Sequence, residues 1–495
     1  MLDLSRIEEL RRADVPPARH LIDGAFVAAS DGAEMEVISP LDGKVLTSLA
    51  RGTTTDAEAA VAAARRAFDD GRWAGLPPAA RKQVLLKWAD LIEEQALDLA
   101  VLGVRDNGTE IGMALKAEPL SAAGTIRYYA EAIDKIYGEI APTGDGSLGL
   151  VHREPVGVVG AIVPWNFPLM IGAWKLGPAL AAGCSVVLKP AETASLTLLR
   201  IAELAQQAGL PDGVLNVVTG EGAVVGAAIA ESMDVDVLVF TGSGATGRRL
   251  LEASARSNLK RVYLELGGKS PNIVFADAPD LKEAVKVSAN GIFRNAGQVC
   301  VAGSRLLVER SIHDAFVADL TEYVRDMKVG DPLDPATSAG AVNSLRQLEQ
   351  NLGFVAEARA LGRDIRIGGA RTLQDTGGYF MEPTIVTGVD PADRLAREEV
   401  FGPVLAVIPF DSEEQAVAIA NGTDYGLAAA VWTSNLSRAH RMIRRIKAGI
   451  VHVNTYGGSD MTVPLGGVKQ SGNGHDKSLH AFDKYLDLKT AWIKL

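Results

Sequence analysis

The chain has 495 residues, enough for about two to four domains with a large buried core, and its 47% apolar and 22% charged residues exclude a disulfide-stapled miniature scaffold and global disorder. A net charge of −11 repels polyanions and argues against nucleic acid and anionic membranes as partners. Fifty-one glycines supply the backbone freedom that tight turns and phosphate-binding loops need.

The opening MLDLSRIEELRRADVPPARH is charged and lacks the apolar core of a secretory signal, and only two cysteines, Cys184 and Cys300, occur. Both features predict a reducing, cytoplasmic setting, in which the N-x-S/T sequons at Asn107, Asn421 and Asn435 are chance matches. Alanine-rich helical spacing predicts helices over 55–73 and 79–102. From 156 onward, short β-branched runs at 156–163, 185–190, 214–220, 235–242 and 261–268 alternate with helical patterns at 193–208, 223–232 and 245–255. Continuous apolar strands separated by helices predict a parallel sheet covered on both faces, as in nucleotide-binding folds. The stretch 156–174 carries no charge and has the length of a membrane helix, but Gly157, Gly160, Pro164, Pro168 and Gly172 favour a buried strand followed by a turn. A second α/β series follows, with strands at 271–276 and 304–309 and helices at 280–292 and 312–327. The terminal YLDLKTAWIKL alternates like an edge strand, which predicts pairing, with another subunit among the candidate partners.

Several residues stand where chemistry is done. The string GSGATG at 242–247 follows a predicted strand and opens a helix, where Gly242, Ser243 and Gly247 would let backbone N–H groups approach a pyrophosphate; a ligand-free turn has the same appearance. Glu265 closes the next strand about 20 residues on, where this fingerprint wants a ribose-binding acid, but it could equally be a general base or part of a buried ion pair. A Walker A loop ending in Gly268, Lys269 and Ser270 is rejected because its first glycine position is Tyr263. Lys189 and Glu192 in KPAE follow the second strand of the series, where they suit an adenosine ribose or a solvated ion pair, and a glutamate there disfavours a 2′-phosphate. Cys184 lies in an apolar run and reads as a packed thiol, whereas Cys300, in NAGQVCVAGS, could be exposed and ionised or ordinary structure. Asn166 in PWNFP could donate to an oxyanion or close a turn. No metal-ligand cluster, H-E-x-x-H or G-x-S-x-G string is present in the sequence.

The chain resembles the aldehyde dehydrogenase superfamily through PWNFP at 164–168, KPAE at 189–192, FTGS at 240–243, ELGGKSP at 265–271, GQVC at 297–300 and EEVFGPV at 398–404, in matching order over essentially the full length. The resemblance implies Cys300 as nucleophile, Glu265 as general base and Asn166 as oxyanion donor. It implies NAD as cofactor, held by Ile162, Pro164, Trp165, Lys189, Glu192, Gly222, Phe240, Gly242, Ser243, Gly247, Glu399 and Phe401. With Glu192 on the ribose, Glu265 is freed for catalysis. The implied fold is α/β, with a Rossmann-type parallel-sheet cofactor domain at 1–135 and 155–267, an α/β catalytic domain at 268–470, and a β oligomerisation arm from 136–154 and 480–495 that makes a homodimer or homotetramer. The implied reaction oxidises an aldehyde to a carboxylic acid through a thiohemiacetal and a thioester on Cys300.

Within the superfamily, SDMTVPLGGVKQSGNGHDKSLHAFDKYLDLKTAWI and HREPVGVVGAIVPWNFPL look like gamma-glutamyl-gamma-aminobutyraldehyde dehydrogenases, which points to an aminoaldehyde or semialdehyde of polyamine breakdown. Arg294 departs from the aromatic residue usual there and resembles the carboxylate-holding arginine of succinate semialdehyde dehydrogenases, whose second arginine is replaced by Trp174. Phe167, Trp174 and Leu465 are expected to form an apolar tunnel, with Arg294 either selecting an anionic or polar tail or pairing with a nearby acid. The rival reactions are transfer of the thioester to CoA and a nicotinamide-free cysteine hydrolase or acyltransferase.

Overall fold

The computed structural model describes residues 2–495. The uncharged run after Val156 divides into the strand Val158–Ile162, a turn at 163–167 and the helix Pro168–Ala182. Pro168 opens that helix, where its missing N–H has no partner to lose, and the buried Glu118 carboxylate accepts the Met170 N–H at 3.0 Å. Every residue of the helix except Met170 is buried, which accounts for the apolar length beyond the expected strand and turn. Among the described residues, no helix is long and apolar enough to cross a membrane.

Val158–Ile162 lies inside an eight-stranded sheet. Its five parallel strands run in the spatial order Leu215–Val217, Ser185–Lys189, Val158–Ile162, Val237–Thr241, Arg261–Glu265. Chain order reverses beside Val158–Ile162, so the loops leaving it and Val237–Thr241 diverge and open a crevice at the strands' C-terminal ends. Side chains alternate between faces: Val159, Ala161, Val237 and Val239 join one apolar cluster, and Val158, Ile162, Leu238 and Phe240 another.

Only residues 266–270 separate this sheet from the next, whose seven strands are ordered Asp364–Ile367, Thr384–Thr387, Val404–Phe410, Arg305–Glu309, Pro271–Val274, Ala428–Trp432, Ile450–Val453. All are parallel except the edge strand Asp364–Ile367. The chain then returns, and Gly472–Asn473 pairs antiparallel with Arg261–Glu265 at the edge of the first sheet.

One expectation changes. The helix predicted over 79–102 is two helices, Pro78–Glu94 and Ala96–Asn107, broken at Gln95 (φ −100°, ψ 17°). The Gln95 side-chain oxygen accepts both Arg200 Nε and Nη2, at 3.1 and 2.8 Å, and the break lets the first helix pack on Ser121–Ala132 and the second on Leu4–Arg12. The terminal strand Leu486–Lys494 pairs with Ser147–Pro155 of its own chain, in register from Leu486 opposite Pro155 to Lys494 opposite Ser147.

At Gly160, a Cβ would lie 2.6 Å from Ile229 Cγ2 and 2.9 Å from Leu238 Cδ1. Gly160→Ala is therefore expected to cost about 1–3 kcal/mol by overpacking, read as a lower urea midpoint with an unchanged m-value.

Candidate active site

The turn after Val158–Ile162 carries Asn166, which is buried and donates from Nδ2 to the Gln298 carbonyl at 2.9 Å. Gln298 belongs to the loop between the helix Leu281–Phe293 and the strand Arg305–Glu309. Three successive residues of that loop adopt positive φ: Asn295 (50°), Ala296 (48°) and Gly297 (74°). A Cβ at Gly297 would meet the Gly402 carbonyl at 2.2 Å, so close backbone approach as well as φ selects glycine there. Asn295 is held by Glu110, which accepts its N–H at 3.2 Å, and by Thr109 Oγ1, which donates to its side-chain oxygen at 2.8 Å. Asn295 Nδ2 donates to the Asn166 and Gln298 carbonyls, both at 3.3 Å. This buried web fixes the segment that ends in Cys300 against the turn that carries Asn166.

Cys300, Asn166 and Glu265 line one cavity of about 400 Å³ with Pro164, Trp165, Gly242, Ser243, Glu399 and Phe401. Ser243 caps the helix Gly244–Arg256 by accepting the Thr246 N–H, and the first turn of that helix faces the cavity. Trp165 and Phe401 meet edge to face with centroids 5.2 Å apart. Glu399 accepts the Gly268 N–H at 3.0 Å, and a Cβ at Gly267 would overlap its carboxylate. The remaining implied cofactor residues do not line this cavity. Lys189 and Glu192 form an ion pair at 3.2 Å beside it, with Gly222 N–H donating to Glu192 at 2.5 Å. Ile162 packs near Lys189 across Gly226, and the Phe240 ring fills the space where a Gly242 side chain would stand. Gly247 is set back and buried, its missing Cβ letting the helix sit on Leu264 and Leu266.

Burial pushes the Cys300 thiol up to about 12, and the negative charges of Glu399 and Glu265 push the same way; N–H groups of Val301 and Cys300 oppose them. Cys300 is part-exposed, and these surroundings favour its thiol over its thiolate. Burial also raises Glu265 well above the usual carboxylate range. The nearby charge of Asp476 adds to that rise, while Lys175 and Lys484 oppose it. Burial lifts Glu399 to about 7.

A second cavity of about 530 Å³ contains Phe167, Trp174, Arg294 and Leu465 together, as expected, with Val299 and Val301 bracketing Cys300 from that side. Cys300 thus lines the first cavity and its two chain neighbours the second.

The sequence pattern of the aldehyde dehydrogenase family matches residues 26–491. The chain belongs to the aldehyde dehydrogenase family. It is 52% identical over 477 residues, 96% of each chain, to the NADP/NAD-dependent aldehyde dehydrogenase PuuC of Escherichia coli K12. An indole-3-acetaldehyde dehydrogenase crystallised with NAD+ superposes with a TM-score of 0.98 at 52% identity, covering 100% of both chains. The gamma-glutamyl-gamma-aminobutyraldehyde dehydrogenase of Burkholderia cenocepacia J2315 superposes at 0.97 with 52% identity, again covering 100% of both.

As an NAD(P)-dependent aldehyde dehydrogenase, the chain needs room for a dinucleotide, and its residues fit one: Gly242, Ser243 and Gly244 bring a capped helix N-terminus to the cavity wall, where its backbone N–H groups can meet a pyrophosphate. Sequence reasoning missed three charged residues behind Glu265. Asp476 is buried between Lys175 Nζ, at 2.5 Å, and Lys484 Nζ. The available signal was Lys175 itself, a lone charge in an otherwise apolar helix, which demands a buried partner. Burial pushes the Asp476 carboxyl up, but the two lysines together hold it below the usual range. Its contribution to stability is thus present above the ordinary carboxylate pKa and lost as pH falls through the lowered one. Asp476→Asn strands two buried cations and is expected to lower unfolding stability by about 3–5 kcal/mol in equilibrium denaturation.

Proposed function

We propose that the chain oxidises an aldehyde of the aminoaldehyde or semialdehyde type to its carboxylic acid with NAD, by a hydrolytic route through Cys300. The observation that carries this reading is Cys300 lining the first cavity together with Asn166 and Glu265, while its chain neighbours Val299 and Val301 line the second. When bound, the nicotinamide supplies the hydride acceptor. The Cys300 sulfur adds to the carbonyl carbon and its proton leaves to a base. The resulting alkoxide accepts hydrogen bonds from Asn166 Nδ2 and the Cys300 N–H, and its collapse expels hydride and leaves a thioester on Cys300. Glu265 then takes a proton from the water that attacks the thioester, releasing the acid and restoring the thiol. A pKa raised by burial makes Glu265 a stronger base for that exchange than an exposed carboxylate.

Glu192, beside Lys189 and Gly222, supports a preference for NAD over NADP by repelling a 2′-phosphate. We read residues 1–135 and 155–267 as the cofactor domain, 268–470 as the catalytic domain, and 136–154 with 480–495 as an oligomerisation arm. The exposed Ile140, Leu488, Trp492 and Leu495 in or beside the strands of that arm suit a homodimer or homotetramer. The two free cysteines fit a reducing compartment such as the cytoplasm.

Cys300→Ser is expected to abolish aldehyde-dependent formation of reduced nicotinamide while NAD binding, followed by calorimetry, persists. Asn166→Ala should lower kcat about 10²–10³-fold. Glu265→Gln should release one equivalent of reduced cofactor per site and then stall. In the parent, hydrolysis should rise with pH as Glu265 ionises, and added CoA should not accelerate it. Loss of the burst, or turnover by the serine variant, would sink the reading.

A further inference from the structure

The second cavity has an unusual charge inventory. Its lining contains no Asp or Glu, and its basic members are Arg294, His452 and Lys477. Lys477 is buried, at 4% exposure, and its backbone lies at φ 63°. Its Nζ donates only to the neutral Ser459, to the carbonyl at 2.9 Å and the hydroxyl at 2.6 Å. The nearest acid to influence it, Asp460, is itself engaged by the Thr462 N–H and hydroxyl, and makes no ion pair with it. Arg294 stands exposed at the same cavity. Its Nε donates to Asn290 Oδ1 at 3.1 Å, which leaves both terminal nitrogens of the guanidinium uncommitted. Glu110, the acid that feels its charge, instead takes the Asn295 N–H. The expected alternative of an ion-paired Arg294 is therefore not what the described residues form.

A buried Lys477 amine, whose charge burial disfavours, and a guanidinium lining the same cavity, set among Phe167, Trp174 and Leu465 with no carboxylate in the lining, form a site that an anion would complete. The apolar walls lower the local dielectric and strengthen any charge pairing made there. The molecule's overall −11 is screened beyond roughly 8 Å at physiological salt, so the local cations decide what enters. We infer that Lys477 and Arg294 form a two-cation clamp that selects aldehydes carrying a carboxylate or sulfonate at the far end. This rests on the proposed aldehyde oxidation at Cys300 and adds the substrate class. Lys477 fixes the anion from the wall by charge-assisted hydrogen bonding, and Arg294 closes on it from the mouth with its forked donors.

The test uses the full chain with NAD and three aldehydes of similar length: 5-oxopentanoate, its methyl ester, and 4-(trimethylammonio)butanal. The parent is expected to favour the carboxylate over the ester by about tenfold or more in kcat/KM, and to disfavour the cation. Lys477→Gln and Arg294→Gln should each shrink the carboxylate-to-ester ratio about tenfold, carried by KM and not kcat, while Lys477→Arg and Arg294→Lys retain most of it. Because Arg294 is exposed, its variants keep the test open if a Lys477 variant does not fold. Equal or better use of the ester or the cation by the parent, or ratios unchanged in the glutamine variants, would overturn the clamp and leave the oxidation standing. Failure of all three aldehydes to reduce NAD would remove the underlying reading as well.

Discussion

The carbonyl of Gln298 ties together two pieces of chain that follow strands of different sheets. It accepts the Asn166 amide from the turn after Val158–Ile162, and it accepts Asn295 from its own loop. Each buried amide left unpaired would cost about 1–3 kcal/mol, so the separation between Asn166 and the Cys300 segment is set by several bonds that must all be made at once. Those bonds also hold Asn295 and Ala296 in the left-handed region, a strain of order 1–3 kcal/mol per residue that persists only where the surroundings over-determine it. Rigidity at this point holds Cys300 in the first cavity while Val299 and Val301 line the second.

Electrostatically the site is kept short of charge. Cys300, Glu399 and Glu265 are all pushed toward their neutral forms, chiefly by burial. The ionised groups are placed one layer behind, where Asp476 and its two lysines compensate one another. A carboxylate with a raised pKa can give and take a proton at modest cost, whereas a permanently charged one in the same place would be a poor exchange partner.

Much of the architecture was legible in the sequence because it depends on local pattern. The five β-branched runs became the five parallel strands, since a strand covered on both faces must be apolar throughout. The four residues expected around the substrate meet in one cavity. Pairings over long separations were not legible: Lys175 and Asp476 lie 301 residues apart, and neither has a local pattern that names the other. The break at Gln95 is equally silent, because the residue that anchors it, Arg200, comes from a distant helix.

The return of Gly472–Asn473 to the edge of the first sheet has a consequence for biosynthesis. That short strand, the Asp476 that follows it and the arm strand beyond leave the ribosome long after Glu265 and Lys175, which wait for them. A nascent polypeptide can assemble its parallel sheet early but keeps an unmatched lysine and an open edge until that later segment emerges. Catalytic competence is thereby coupled to its arrival, and copies terminated before it would present those unsatisfied features to the cell's quality control.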